Sequence, residues 1–221
     1  MTKKITNIIF DFDNTLVRSH INFPELKISM AQLARSVGLD FGKDEEIPHK
    51  FTAGQMIIEA EAFESTNEVN LVPELWELVE VHERKGMENL SIDDDVFPML
   101  NFLLESKYII TLLTNNSREP TLEVLRKYDM EKYFQLIVAR EDVSKMKPDK
   151  EGIDLILNKL SIEQEEVVFI GDSWVDGQAA KNADILFILF RDEPLSEEKY
   201  GIKIWHHIKT MSELVEFLKT D

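Results

Sequence analysis

Apolar and β-branched residues dominate positions 6–10 and stop at Asp11, the pattern of a short strand buried on both faces. From about residue 18 to residue 89 the period lengthens to that of helices. Pro24 suits an early helix position, Leu26, Met30, Leu33 and Val37 carry the apolar face, and Gly38 closes the run. Two further helices are predicted over about 53–64 and 73–84. Beyond Gly86 the pattern changes again. It predicts a helix over 95–106, a strand over 108–113 ending at Thr114, a helix over 119–128 and a strand over 134–139. A helix over 150–159, a strand over 167–170 ending at Gly171-Asp172, a helix over 177–182, a strand over 185–190 and a helix over 211–218 follow. With 18–89 set aside, strands and helices alternate, which predicts an α/β fold with a parallel sheet. The expected organisation is a discontinuous core of 1–17 and 90–221, interrupted by an α-helical insertion of 18–89. Helices inserted at the edge of a ligand crevice commonly act as a lid.

Composition narrows the class. The 221 residues are 43% hydrophobic and 30% charged, as in ordinary globular chains, and suffice for one domain plus a modest insertion. No apolar run reaches the length of a membrane span, and the first residues lack the pattern of a signal peptide. Cysteine is absent, which excludes disulfides, thiolate metal sites and cysteine catalysis, and suits a reducing cytoplasm. The net charge of −17 disfavours nucleic acid and anionic membranes as partners. It also repels phosphate esters at long range. A phosphate site in this chain must therefore be locally positive, through a metal, a lysine or helix N-termini.

Chemistry-bearing residues gather at predicted strand ends and helix starts, where open α/β sheets bind ligands. Asp11 and Asp13 lie two apart in an extended segment and point the same way. Their repulsion favours a proton on one of them unless a cation intervenes. That suits a nucleophile with an acid/base partner, or a hard-cation site, or simply a capped turn. Thr114, Asn115 and Asn116 can donate to phosphate oxygens or serve as caps. Lys147 precedes Pro148-Asp149, ordinary helix-opening residues, and can place its ammonium in the crevice or in solvent. Gly171-Asp172 and Asp176 suit a magnesium site with close backbone approach, or a Gly-Asp turn with a cap.

In this order and at these places, Asp11-x-Asp13-x-Thr15, Thr114, Lys147 and Gly171-Asp172-x-x-x-Asp176 resemble the haloacid dehalogenase superfamily over essentially the whole chain. The resemblance implies a Rossmann-like core with a small α-helical cap inserted after the first strand. It implies Asp11 as the nucleophile that becomes an aspartyl-phosphate, and Asp13 as the general acid and base. Magnesium would be held by Asp11, Asp172 and the main-chain carbonyl of Asp13, with Asp176 acting through water or by orienting the others. Thr114 and Lys147 would hold phosphoryl oxygens, with Asn115 as an extra phosphate contact. An aspartate at Asp13 favours phosphoryl transfer over dehalogenation. The implied activity is a phosphatase for a small phosphorylated metabolite, phosphoglycolate phosphatase-like or nucleotidase-like, working as a monomer or homodimer. The alternatives are a sugar-phosphate mutase of the same superfamily and an inactive phosphate-responsive binding module. A P-loop motif is absent, which argues against a P-loop kinase or GTPase.

Other residues attract attention without joining the site. Neighbours on a strand face opposite ways, so His206 and His207 do not readily share one ion. Trp174 suits core or rim. Phe51, Met56 and Phe63 suit the core of the insertion, and Arg18, His20 and Lys50 its solvated approaches.

Overall fold

A computed structural model describes residues 4–220. The chain divides into two compact units, Met1–Ser19 with Leu90–Asp221, and His20–Asn89. Arg18 and Ser19, expected with the insertion, belong to the first unit. Arg18 exchanges main-chain hydrogen bonds with Ser91, at 2.8 and 3.2 Å, and its guanidinium grips Asp93 at 2.7 Å.

In chain order the elements are β1 (Asn7–Phe10), α1 (Phe23–Ser36), α2 (Ile47–Lys50), α3 (Ala53–Glu64), α4 (Val72–Met87), α5 (Val96–Glu105) and β2 (Ile109–Leu113). They continue with α6 (Arg118–Lys127), β3 (Leu136–Val138), α7 (Glu151–Leu160), β4 (Val167–Gly171), α8 (Trp174–Asn182), β5 (Leu186–Phe190), α9 (Glu197–Tyr200), β6 (His206–Ile208) and α10 (Met211–Thr220). The six strands form one sheet in the order β3-β2-β1-β4-β5-β6, parallel throughout. Asn7 is level with both Ile109 and Val167, and Phe10 with Leu112 and Ile170, so β1, β2 and β4 end together. β1 and β4 are buried along their whole length, which is why their sequences read as unbroken apolar runs. Helices α7 and α8 cover one face over Ile9, Leu113, Phe169, Phe187 and Leu189, and α5 packs with α10.

Two departures from the periodicity have physical causes. Helix α8 begins at Trp174, three residues before the predicted start. Ser173 and Asp176 form a reciprocal cap that opens the helix early. Gly177 therefore lies inside it, where an added Cβ would sit 2.9 Å from Ile202 and 3.1 Å from Phe187. The predicted strand over 134–139 shrinks to three residues, because Phe134 still caps the 3₁₀ turn of Glu131–Tyr133.

The second unit is helical. Asn22 caps α1 by accepting from Glu25 N, and Thr52 with Gln55 forms a capping box on α3. Leu26, Met30, Ala34, Phe41, Met56 and Leu75 fill its core. Phe51 packs against that core edge-on to Phe41, whereas Phe63 is half-buried outside it.

Gly177→Ala tests the packing of α8 on β5. Helix propensity alone favours alanine by about 1 kcal/mol. Overpacking costs about 1–3 kcal/mol and is expected to win. Urea unfolding should show a net loss of stability, and a gain would mean that Ile202 and Phe187 move aside freely.

Candidate active site

Asp11 is the first residue beyond β1, and its amide donates to Ile170 O at 2.9 Å, extending the pairing with β4 by one residue. Phe12 turns inward and is fully buried, which anchors the turn. Leu16 and Val17 donate back to Phe12 O at 2.9 and 3.1 Å, and Asn14 takes a left-handed φ of 56°. Both ends of the Asp11 carboxylate are held. Thr15 Oγ1 donates to Oδ2 at 3.2 Å and Lys147 Nζ to Oδ1 at 2.5 Å.

Lys147 links the site together. Its buried ammonium also donates to Asp176 Oδ1 at 2.7 Å and to Leu113 O at 3.1 Å. These are three acceptors for three N–H donors. The main chain of Lys147 is pinned by Asn115, whose Oδ1 accepts from Lys147 N at 3.0 Å and whose Nδ2 donates to Lys147 O at 2.9 Å. Asn115, expected as a phosphate contact, thus holds the main chain of Lys147 through both ends of its amide. Thr114 follows β2, and its Oγ1 accepts from Asn116 N at 3.1 Å.

Asp172 follows β4, and Asp176 lies in the first turn of α8. Asp11, Asp172 and Asp176 each offer a carboxylate oxygen within 4.8 Å of the others. An added Cβ on Gly171 would lie 2.5 Å from Asp176 Cγ, so glycine is what lets that carboxylate approach. Asp176 is fully engaged, with Oδ1 on Lys147 and Oδ2 accepting from Ser173 Oγ at 2.5 Å and Ser173 N at 3.1 Å. Asp11 accepts one hydrogen bond on each oxygen, and Asp172 is the freest of the three to meet a cation. An all-oxygen, carboxylate-rich set matches the preference of magnesium.

Asp13 lies half-buried beside this cluster. Asn116 Nδ2 donates to its Oδ2, while Oδ1 is shut off from solvent. Arg191, beyond β5, reaches back with Nη1 to Asp172 O at 3.4 Å. With Asn14, Arg18, Phe190 and Lys209 it helps line a cavity of about 340 Å³ beside Asp172. Asn116 was read only as a phosphate donor or a cap, not as a partner of Asp13, and Arg191 had no individual signal in the sequence. Ser173 did: Ser173-x-x-Asp176 is a helix-capping pattern. Of the residues set aside, Arg18 is thus beside Asp172. His206 stacks on Phe217, His207 Nε2 bonds Arg191 O at 2.8 Å, and Trp174 stacks on Tyr200.

Burial and crowding shape the ionisation. Burial pushes Asp11 well up; Lys147 opposes this, while Asp176 and Asp172 add to it. Burial also raises Asp13, against the hydrogen bonds of Ser19 and Asn116. Asp172 is pushed up to about 7 by burial and then by Asp176. Burial works against the charge on Lys147, but Asp11 and Asp176 outweigh it and hold the ammonium protonated above its ordinary range.

The family model for haloacid dehalogenase-like hydrolases matches residues 8–190. The chain belongs to that family. It is an enzyme, a haloacid dehalogenase-like hydrolase whose curated relatives include phosphatases. It is 30% identical over 190 residues to a pyrophosphatase, PpaX, of Listeria monocytogenes, covering 84% of this chain and 83% of the relative. It is 28% identical over 188 residues to a phosphoglycolate phosphatase of Vibrio cholerae, covering 82% of each. A haloacid dehalogenase-like hydrolase from Bacteroides fragilis shares the fold, with a TM-score of 0.67 and 24% identity over 96% of this chain and all of that one.

The raised pKa of Asp172 carries a stability signature for this hydrolase. In the unfolded chain Asp172 ionises near 3.8, and in the fold near 7, so the fold binds its proton more tightly. Its contribution is therefore fully present below pH 3.8 and declines as pH rises toward 7 and past it. Asp172→Asn is expected to flatten the stability loss between pH 3.8 and about 7 in metal-free urea unfolding. An unchanged slope would assign that loss to other groups.

Proposed function

We propose that this hydrolase is a magnesium-dependent phosphatase that cleaves small phosphorylated metabolites through an aspartyl-phosphate on Asp11. The observation that carries the reading is Lys147, whose one ammonium binds both Asp11 and Asp176 at the strand ends. That arrangement keeps Asp11 oriented and screens it from an incoming anion. The names of the relatives, pyrophosphatase and phosphoglycolate phosphatase, support a small phosphoryl donor.

In this reading a carboxylate oxygen of Asp11 attacks phosphorus in line as the bond to the leaving oxygen breaks, and Asp13 gives that oxygen its proton. Asp13 then takes a proton from the water that attacks the aspartyl-phosphate, which frees Asp11 and inorganic phosphate. Thr114 supplies a hydroxyl to the phosphoryl group, and Lys147 its positive charge. Asp11, Asp172 and the carbonyl of Asp13 would hold magnesium, with Asp176 orienting them, and the ion would supply charge stabilisation for the transferring phosphoryl group. The helical unit is read as the cap that selects among esters. Among the described residues no helix is long and apolar enough to cross a membrane. The cysteine-free, acidic chain suits the cytoplasm and does not suit nucleic acid as a partner.

The test is phosphate release from a panel including pyrophosphate, phosphoglycolate and p-nitrophenyl phosphate. Turnover should require magnesium, disappear with a chelator and return on readdition. Asp11→Asn should lower kcat by about 10⁴-fold or more with the fold retained by circular dichroism. Turnover near wild type in that variant would remove Asp11 as the nucleophile. Magnesium should raise the thermal midpoint more at pH 8 than at pH 6, since the ion competes with the proton on Asp172.

A further inference from the structure

We infer that Asn116 is a positioning residue for Asp13, one that fixes the orientation of its carboxylate. The inference rests on the phosphatase reading above and adds a residue to it. The amide nitrogen of Asn116 can only donate, and it donates to Asp13 Oδ2. Oδ2 is thereby committed as an acceptor. The Ser19 side chain also stands against this carboxylate. With Asn116 fixed, the carboxylate has one rotation about its Cβ–Cγ bond in which Oδ2 meets the amide.

The support behind Asn116 is rigid. Its side chain is buried, with 6% of the residue exposed. Its amide donates to Thr114 Oγ1 at 3.1 Å, and its carbonyl accepts from Arg140 N at 3.0 Å. Arg140, itself buried, donates through Nη2 to Ser117 Oγ, and Thr121 Oγ1 donates to Ser117 O at 2.8 Å. The turn after β2 is therefore held from two sides and presents one donor to a carboxylate 103 positions earlier in the chain. The proton balance follows. The Asp13 carboxyl passes its proton to the ester oxygen as the P–O bond breaks. The carboxylate left behind takes a proton from the attacking water, whose hydroxyl goes to phosphorus as the bond to Asp11 breaks. Asp13 ends as it began.

The experiment compares two esters in Asn116→Ala and Asn116→Asp. An alkyl phosphate such as glycerol 2-phosphate needs its leaving oxygen protonated, whereas p-nitrophenyl phosphate releases a stable phenolate. The value of kcat/KM reports the first step alone, so hydrolysis of the intermediate does not mask the effect. Both variants are expected to lose about a hundredfold in kcat/KM for the alkyl ester and about tenfold less than that for p-nitrophenyl phosphate. Inhibition by inorganic phosphate should persist. If Asn116→Ala proves poorly folded by its thermal midpoint, the isosteric Asn116→Asp carries the comparison. Equal losses on the two esters would reduce Asn116 to a structural role and overturn the proposal, as would no loss on either. A wild-type enzyme inert toward every ester overturns the phosphatase reading itself, a result visible before any variant is made.

Discussion

The ammonium of Lys147, buried between Asp11 and Asp176, is the interaction on which the active site depends. At an effective dielectric of about 20, a pair of unit charges 4 Å apart interacts by about 4 kcal/mol. Two such contacts, together with Leu113 O, offset the desolvation of the ammonium and hold it protonated. The neighbouring details are conditions for this arrangement. Gly171 admits the Asp176 carboxylate, Ser173 holds its second oxygen, and Asn115 fixes the main chain of Lys147 at both its amide and its carbonyl.

The fold brings these groups together because β1, β2 and β4 are adjacent and end level. Asp11, Thr114 and Asp172 each follow immediately after one of those strands. Lys147 arrives by a different route, on the segment before α7, and is drawn in by the carboxylates. Residues over a hundred positions apart thus meet without any long loop crossing the core. The side-chain alternation at Asp11-Phe12-Asp13 completes the arrangement, since burying Phe12 leaves the two flanking carboxylates away from the core.

Much of this was legible in the sequence, for identifiable reasons. Strands buried on both faces announce themselves as apolar runs, so β1, β2, β4 and β5 were placed to within a residue or two. The strand-end positions of Asp11, Thr114 and Asp172 followed from them. What stayed hidden depended on tertiary partners. Gly177 resembles a helix start until Phe187 and Ile202 show why it must be small. Three residues of β6, with His206 and His207 among them, carry too short a pattern to announce a strand. Asn115 and Asn116 are chemically identical, and only the structure shows that one serves Lys147 and the other Asp13.

Charge arithmetic ties the metal to the proposed reaction. Asp11, Asp172 and Asp176 face one ammonium, so the fully ionised cluster holds an excess of two negative charges in a buried place. Burial first, and then the repulsion among these carboxylates, raises Asp172 to about 7 and pushes Asp11 upward. A protonated Asp11 is a poor nucleophile, and an ionised one repels a phosphate dianion. In the proposed reaction a divalent ion would resolve both difficulties at once, because it would favour deprotonation of the cluster and cancel its excess charge. In a chain of net charge −17, no diffuse surface potential could do the same. The proposed cation and Lys147 would together make this place electrostatically favourable to a phosphate ester.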